Sequence, residues 1–311
     1  MAPGIGAAGI LGVALETVSG TYLAPTKFIP FESESFQYQQ ETIWRRPIRQ
    51  SADVVGAIPG NVHIEGDIGF EALADAVTVL LHAARHTVVK TGAGPYTYTF
   101  TPNANAIPVK TASLTLVRNG IVFGYTGCVV GNFTFTIEDG VLKFNCGFQG
   151  RDEAVQSAPS PTWPTTTPIG AGMYTVEIPT AAQVFDCDNF EFSVEQNASP
   201  NFRLKSAGVR GAQFISYGEN EVTMSVERDF ESRTDYDAYK ALTAQSITVK
   251  CINNATTNEI DILMPASIKD SYEVAMPSQG ELVRASISYQ GVLDGTGKSY
   301  EIKTFTAENI I

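Results

Sequence analysis

Two stretches far apart in this chain carry the same alternation of apolar and polar residues, and that repeat constrains the fold more than any other feature. Ser35-Phe36-Gln37-Tyr38-Gln39-Gln40-Glu41 resembles Asn189-Phe190-Glu191-Phe192-Ser193-Val194-Glu195. A period of two belongs to a half-buried strand. Phe36, Tyr38, Phe190 and Phe192 are expected on one face, with Gln37, Gln39, Glu41, Glu191, Ser193 and Glu195 on the other. The next stretches match as well. Val62-His63-Ile64-Glu65-Gly66-Asp67 corresponds to Val222-Thr223-Met224-Ser225-Val226-Glu227, and a Phe-Glu pair follows each, Phe70-Glu71 and Phe230-Glu231. Such self-similarity predicts a tandem of two like units.

A helix is expected after each pair. Phe70, Leu73, Ala74, Val77 and Leu81 make one apolar stripe over 70–84. The second helix is read over 235–243, with Thr234 as N-cap, Asp237 as the reciprocal acid, and Tyr236, Tyr239 and Leu242 toward the core. Each half then closes with a β-meander. Strands are expected near 96–101, 112–119, 122–130, 132–138 and 141–149, and near 247–252, 259–264, 267–275 and 282–290. Glu138-Asp139-Gly140 and Ser278-Gln279-Gly280 read as hairpin turns, because Gly takes a positive φ cheaply. The last strands end alike, in Gln149-Gly150 and Gln290-Gly291. The fold class is therefore mainly β with one helix per repeat. Residues 1–30 are read as an apolar N-terminal arm, 31–152 as the first β unit and 153–182 as a linker stiffened by Pro159, Pro161, Pro164 and Pro168. Residues 183–293 are read as the second β unit, and 294–311 as a C-terminal strand (299–305) and tail.

Composition narrows the function. Hydrophobic residues make up 43% and charged residues 17%, enough apolar material for a sizeable core. A net charge of −12 disfavours gripping nucleic acid, which needs clustered Lys and Arg. Cys128, Cys146, Cys187 and Cys251 have no C-x-x-C spacing and read as buried reduced thiols. No run reaches the ~18 apolar residues of a transmembrane helix, and the start lacks the basic region of a signal peptide. His82 and His86 have metal-ligand spacing, but Ala83 stands where a zinc protease carries Glu. They read instead as polar residues at a helix C-terminus. No nucleophile elbow, P-loop or dinucleotide fingerprint is present, so no catalytic residue, cofactor or metal is assigned. Trp44-Arg45-Arg46-Pro47-Ile48-Arg49 opens an expected long loop that runs through Val54, Val55 and Ile58. Apolar loop residues over an arginine base suit an interface with an acidic copy of the chain.

Leu15-Glu16-Thr17-Val18-Ser19-Gly20-Thr21-Tyr22-Leu23-Ala24-Pro25-Thr26-Lys27-Phe28-Ile29-Pro30 resembles the opening of the tail tube proteins of long-tailed bacteriophages, where G-T-x-x-A-P-T precedes a first strand like 34–41. The Gly66-Asp67-Ile68 step and Gly127-Cys128-Val129-Val130-Gly131-Asn132-Phe133-Thr134 are similar too. The resemblance implies a tandem of tail-tube β-sandwich or barrel units, a structural and non-enzymatic role, and self-assembly into stacked rings that conduct the genome. It implies a place in the virion tail, assembly in the host cytoplasm, and the tape measure, tail terminator and distal tail proteins as neighbours. Double-stranded DNA would pass without specific binding, and no membrane is involved. Two units per chain imply three chains per ring; six chains are the alternative. Under this resemblance the expected lumen face is Gln37, Gln39, Glu41, Glu65, Asp67, Glu191, Ser193, Glu195, Ser225 and Glu227. The expected contacts between rings are Trp44, Arg45, Arg46, Ile48, Arg49, Val54, Val55 and Ile58, together with the N-terminal arm. A contractile-injection or type VI-like tube is the alternative within this class, and a β-sandwich ligand-binding module the alternative outside it.

Overall fold

The computed structural model of the chain describes residues 8–48, 53–184, 187–203, 210–276 and 278–310. Alternating sequence becomes strand over most of this length. β1 (Ile10–Leu15), β2 (Lys27–Ile29), β3 (Ser33–Glu34), β4 (Gln37–Arg45) and β5 (Gly56–Glu71) precede helix α1 (Ala74–His82). β6 (His86–Thr91), β7 (Tyr96–Pro102), β8 (Ala112–Arg118), β9 (Ile121–Glu138), β10 (Val141–Gly150) and β11 (Asp152–Val155) follow. Next come β12 (Tyr174–Glu177), β13 (Gln183–Val184), β14 (Cys187–Glu195), β15 (Ser199–Phe202), β16 (Arg210–Ser216) and β17 (Glu221–Asp229). Helix α2 (Thr234–Lys240), β18 (Gln245–Asn254), β19 (Asn258–Ala275), β20 (Arg284–Gly291) and β21 (Glu301–Thr306) complete the chain.

The front of the molecule is one continuous antiparallel sheet in the order β4-β5-β10-β9-β14-β17-β20-β19. The stretches matched in sequence pair in the same register: Gln37 stands opposite Glu65, and Glu191 opposite Ser225. The Gln-Gly ends do not coincide in this way. Gln149 lies opposite Glu65, whereas Gln290 lies opposite Thr223, two residues from Ser225.

Behind the sheet lie β2-β1-β8-β9-β11 on one side and β13-β12-β18-β19-β21-β7-β6 on the other. β9 and β19 belong to both layers. The breaks expected near 131 and 265 are absent, because each strand bends instead of stopping. Gly127 takes φ +61 at the first bend, and a Cβ there would lie 2.4 Å from the Arg151 side chain. Gly131 is skipped in the β9–β10 register as a bulge.

The core fills the space between the layers. Phe36 stacks on Tyr125 with ring centroids 5.2 Å apart, and Phe133, Phe135, Phe144, Phe192 and Tyr300 make a continuous aromatic cluster. Fully burying one such ring contributes about 1.5–3 kcal/mol. α1 packs between the two rear groups of strands, with eight of its nine residues buried.

Several sequence expectations are corrected here. Residues 1–30 do not form an arm throughout: β1 is a buried strand paired with β2 and β8, so its apolar run serves this chain's own core. α1 is shorter than 70–84; Phe70 still belongs to β5, which ends at Glu71, and Leu73 is the N-cap. Thr234 is the first helical residue of α2 and not its cap, and α2 buries no side chain, so Tyr236, Tyr239 and Leu242 do not face the core. Tyr38 is 43% exposed because β4 is a sheet edge. The stretch expected as a linker contributes β11 and β12 and buries Ile169, whose carbonyl accepts from Leu142 N. β21 is no peripheral addition: it lies between β19 and β7.

Candidate functional site

Residues directly opposite each other in an antiparallel ladder share a face. Pairing therefore carries the polar faces of the matched strands across the whole front sheet. Glu65 lies opposite Gln149, and Asp67 opposite Gly147, which lies opposite Asn132 and so leads to Glu195. Ser193 is opposite Thr223, and Asn189 opposite Glu227. The ten residues from Gln37 to Glu227 singled out from the sequence stand on this face, each exposed or half-buried. Glu41 sits at a bulge between Gln40 and Thr42, and its carboxylate accepts from Asn61 N at 3.3 Å.

The alternation of Asn132, Thr134 and Thr136 with Phe133 and Phe135 extends the face through β9. It is the same period-two signal, and it places Thr134 Oγ1 3.2 Å from Ser193 Oγ across the β9–β14 seam. Asn145, Ser271, Glu273, Ser286 and Ser288 join the face by register. Sequence reasoning missed them because it matched whole motifs rather than single alternating positions.

Two cations stand among these acids, and both are neutralised locally. Lys143 is ion-paired to Glu32 and lies 3.8 Å from Glu71. Burial works against its charge, but the Glu32 hydrogen bond and the nearby acids outweigh burial and raise its pKa. Arg284 reaches Asp188 at 2.5 Å, Glu227 at 3.6 Å and Asp229 at 3.9 Å. Glu65 and Asp67 are left exposed toward solvent, so the face presents oxygen atoms and negative charge.

Where it is described, the expected loop 45–60 is largely strand: residues 56–59 pair with 42–45 as the outer part of a hairpin. β4 and β5 stay paired out to Arg45 opposite Gly56, because alternation persists through Ile43 and Ile58. Trp44, Ile48, Val54, Val55 and Ile58 are 60%, 103%, 44%, 38% and 47% exposed, and Arg45 and Arg46 are exposed beside them. Arg49 lies outside the described residues. A second hairpin, β15–β16, occupies the corresponding place between β14 and β17. It folds back: Arg210 and Gly211 pair in parallel with Asn61 and Val62, and Ala212, Ile215 and Tyr217 pack with Val129.

His82 and His86 do not act as surface residues at a helix end. Both are buried, and His86 begins β6. Leu81 O can only accept, so His86 Nδ1 donates to it at 3.0 Å and Nε2 accepts from Tyr300 Oη at 2.8 Å. Burial lowers both imidazoles to about 4, which keeps them neutral. Among the described residues no group of three His, Cys, Asp or Glu is placed to hold a metal ion.

The model of the phage tail tube protein family matches residues 6–291. The chain belongs to the phage tail tube protein family. No curated protein matches it. As a tail tube protein it is a structural subunit of the virion tail, from a family that is not enzymatic and whose members assemble into tubes with other tail proteins. No described helix is long and apolar enough to cross a membrane. The β-rich open sheet is consistent with that family, and the N-terminal motif from Leu15 to Pro30 falls within the matched region.

Proposed function

We propose that this tail tube protein is a tandem of two tube units, that three chains close each ring, and that the front sheet lines the lumen through which the genome leaves. One observation carries the reading: the eight front strands run as β4-β5-β10-β9 and then β14-β17-β20-β19, with matched motifs in matched register. Three such chains supply 24 strands around a pseudo-six-fold axis with closed symmetry. At ~4.8 Å per strand the circumference is roughly 115 Å and the diameter about 37 Å before tilt widens it, enough for a DNA duplex. Six chains with both runs inward would double the strand count to a diameter of roughly 73 Å, far wider than DNA requires.

The acid-rich face suits passage without adhesion, since phosphates are repelled by such a wall and find no clustered cations there. The exposed outer part of the β4–β5 hairpin carries the contacts between stacked rings, and tape measure, terminator and distal tail proteins are the neighbours of the assembled tube. Cryo-EM of tubes made from the purified chain tests the ring. Three-fold symmetry with both four-strand runs on the inner wall is expected. Strict six-fold identity, with 183–293 outside the wall, would overturn it.

A further inference from the structure

We infer that the joint between neighbouring chains repeats the joint inside the chain, with the β4 edge of one copy pairing antiparallel with residues 271–275 of β19 in the next. The inference rests on the tube-subunit reading and assigns its partner surfaces. Among the described residues, no strand pairs with the far edge of β4 or of residues 268–275. Long exposed edges of this kind seek a strand.

The internal seam gives the register. Within the chain, β14 meets β9 with Ser193 opposite Thr134 and Phe192 opposite Phe135. Gln39 occupies the place of Ser193, since it stands opposite His63 as Ser193 stands opposite Thr223. Ala275 occupies the place of Thr134, since it stands opposite Arg284 as Thr134 stands opposite Asn145. Arg284 and Asn145 lie opposite Asp229 and Gly69, two positions beyond the matched residues Glu227 and Asp67. The joint therefore sets Gln39 opposite Ala275 of a second copy and Tyr38 opposite its Met276.

The side chains agree with this placement. Phe192 and Phe135 are fully buried at the internal seam, whereas Tyr38 is 43% and Met276 85% exposed. A second copy covers both and places a thioether against an aromatic ring, a favourable contact. α2 repeats the argument. α1 is buried among β21, β19, β1, β2 and β6, while α2 lies against β19 and Leu242 beside it is 64% exposed. The one like-charge coincidence, Glu41 opposite Glu273, falls at the bulge where the Glu41 carboxylate is turned to Asn61 N.

Cysteine cross-linking tests the register. Opposed residues in a ladder lie within disulfide reach. In a Cys187→Ser background, oxidised Q39C/A275C tubes should give a covalent ladder that stops at three chains and collapses on reduction. A Q39C/S271C chain, slipped by four residues, should give none. Tubes that form normally but cross-link only in the slipped pair, or in neither, would sink the joint and leave the tube reading intact. A wild-type chain that forms no three-fold ring would sink the reading itself. If the double variant does not assemble, hydrogen exchange on wild-type tubes decides: amides 37–41 and 271–275 should gain protection relative to the unassembled chain, and unchanged exchange at either would reject the joint.

Discussion

Glu16 accepts four hydrogen bonds while 97% of its surface is covered: from Gly20 N at 2.6 Å, Thr111 Oγ1 at 2.6 Å, Ser113 Oγ at 2.8 Å and Gly127 N at 2.8 Å. One carboxylate thus ties the N-terminal motif to β8 and to the bend of β9. Glu16→Gln keeps the shape but turns an acceptor into a donor facing donors. It should cost about 2–4 kcal/mol, read as a lower denaturant midpoint, because buried groups left unpaired are penalised. An unchanged midpoint would mean that the four bonds are not sustained in solution. The motif was visible in the sequence, but its partners were not, since no spacing links positions 20, 111, 113 and 127. His86 supports a second test. Its pKa is about 4 in the fold and about 6.5 when unfolded, so the unfolded chain takes up the proton first as pH falls. The stability it contributes is complete above about 6.5 and is lost on the way down to about 4, a change of order 3 kcal/mol. Glu259 pulls the opposite way, because burial and Asp261 raise its carboxyl. Comparing wild type with His86→Gln cancels that background: the variant should be less stable at neutral pH, and its stability should fall less between pH 6.5 and 4. Parallel curves would refute the assignment.

At the scale of elements, the hairpin and the two helices part company with their sequence signals. Strand alternation was legible wherever one face is covered and the other is wet, which is why most strand positions could be read. The long hairpin was hidden because its strands are wet on both faces, so turn-like composition near Pro47 and Pro59 outweighed a weak period. α2 misled in the opposite way: its tyrosines have core-like spacing, yet Tyr236 and Tyr239 lean on Tyr272 at the surface. Removing residues 48–58 should leave the circular dichroism and melting of the fold nearly unchanged, since the described ones, Ile48 and 53–58, are outside the core, while tubes shorten to single rings. Electron micrographs showing full-length tubes from that variant would rule out the hairpin as the link between rings.

For the whole molecule, the decisive quantity is the sign of the charge on the front face that we propose lines the tube. The chain carries −12 overall, and Lys143 and Arg284 on the polar front face are held by neighbouring acids. Changing Glu65 and Asp67 together to Lys reverses an exposed pair on β5 without entering the core. Tubes should still form, but DNA ejection should slow, most at low salt where phosphate attraction is least screened. Ejection at the wild-type rate across salt concentrations would argue that these side chains do not meet DNA. The polar front face was partly legible because alternation marks it. Its breadth was not, because only pairing shows that eight strands share one sheet.

The folded-back second hairpin has a consequence for how a tube is ordered along its length. If one hairpin of each chain stands upright and the other lies against Asn61 and Val62, a rim alternates raised and lowered positions. A ring turned by one unit would set raised positions where lowered ones belong, so the two settings differ in energy. Such a tube carries a phase: the orientation of its first ring is handed on to every ring after it, and one end of the tail knows how the other is turned.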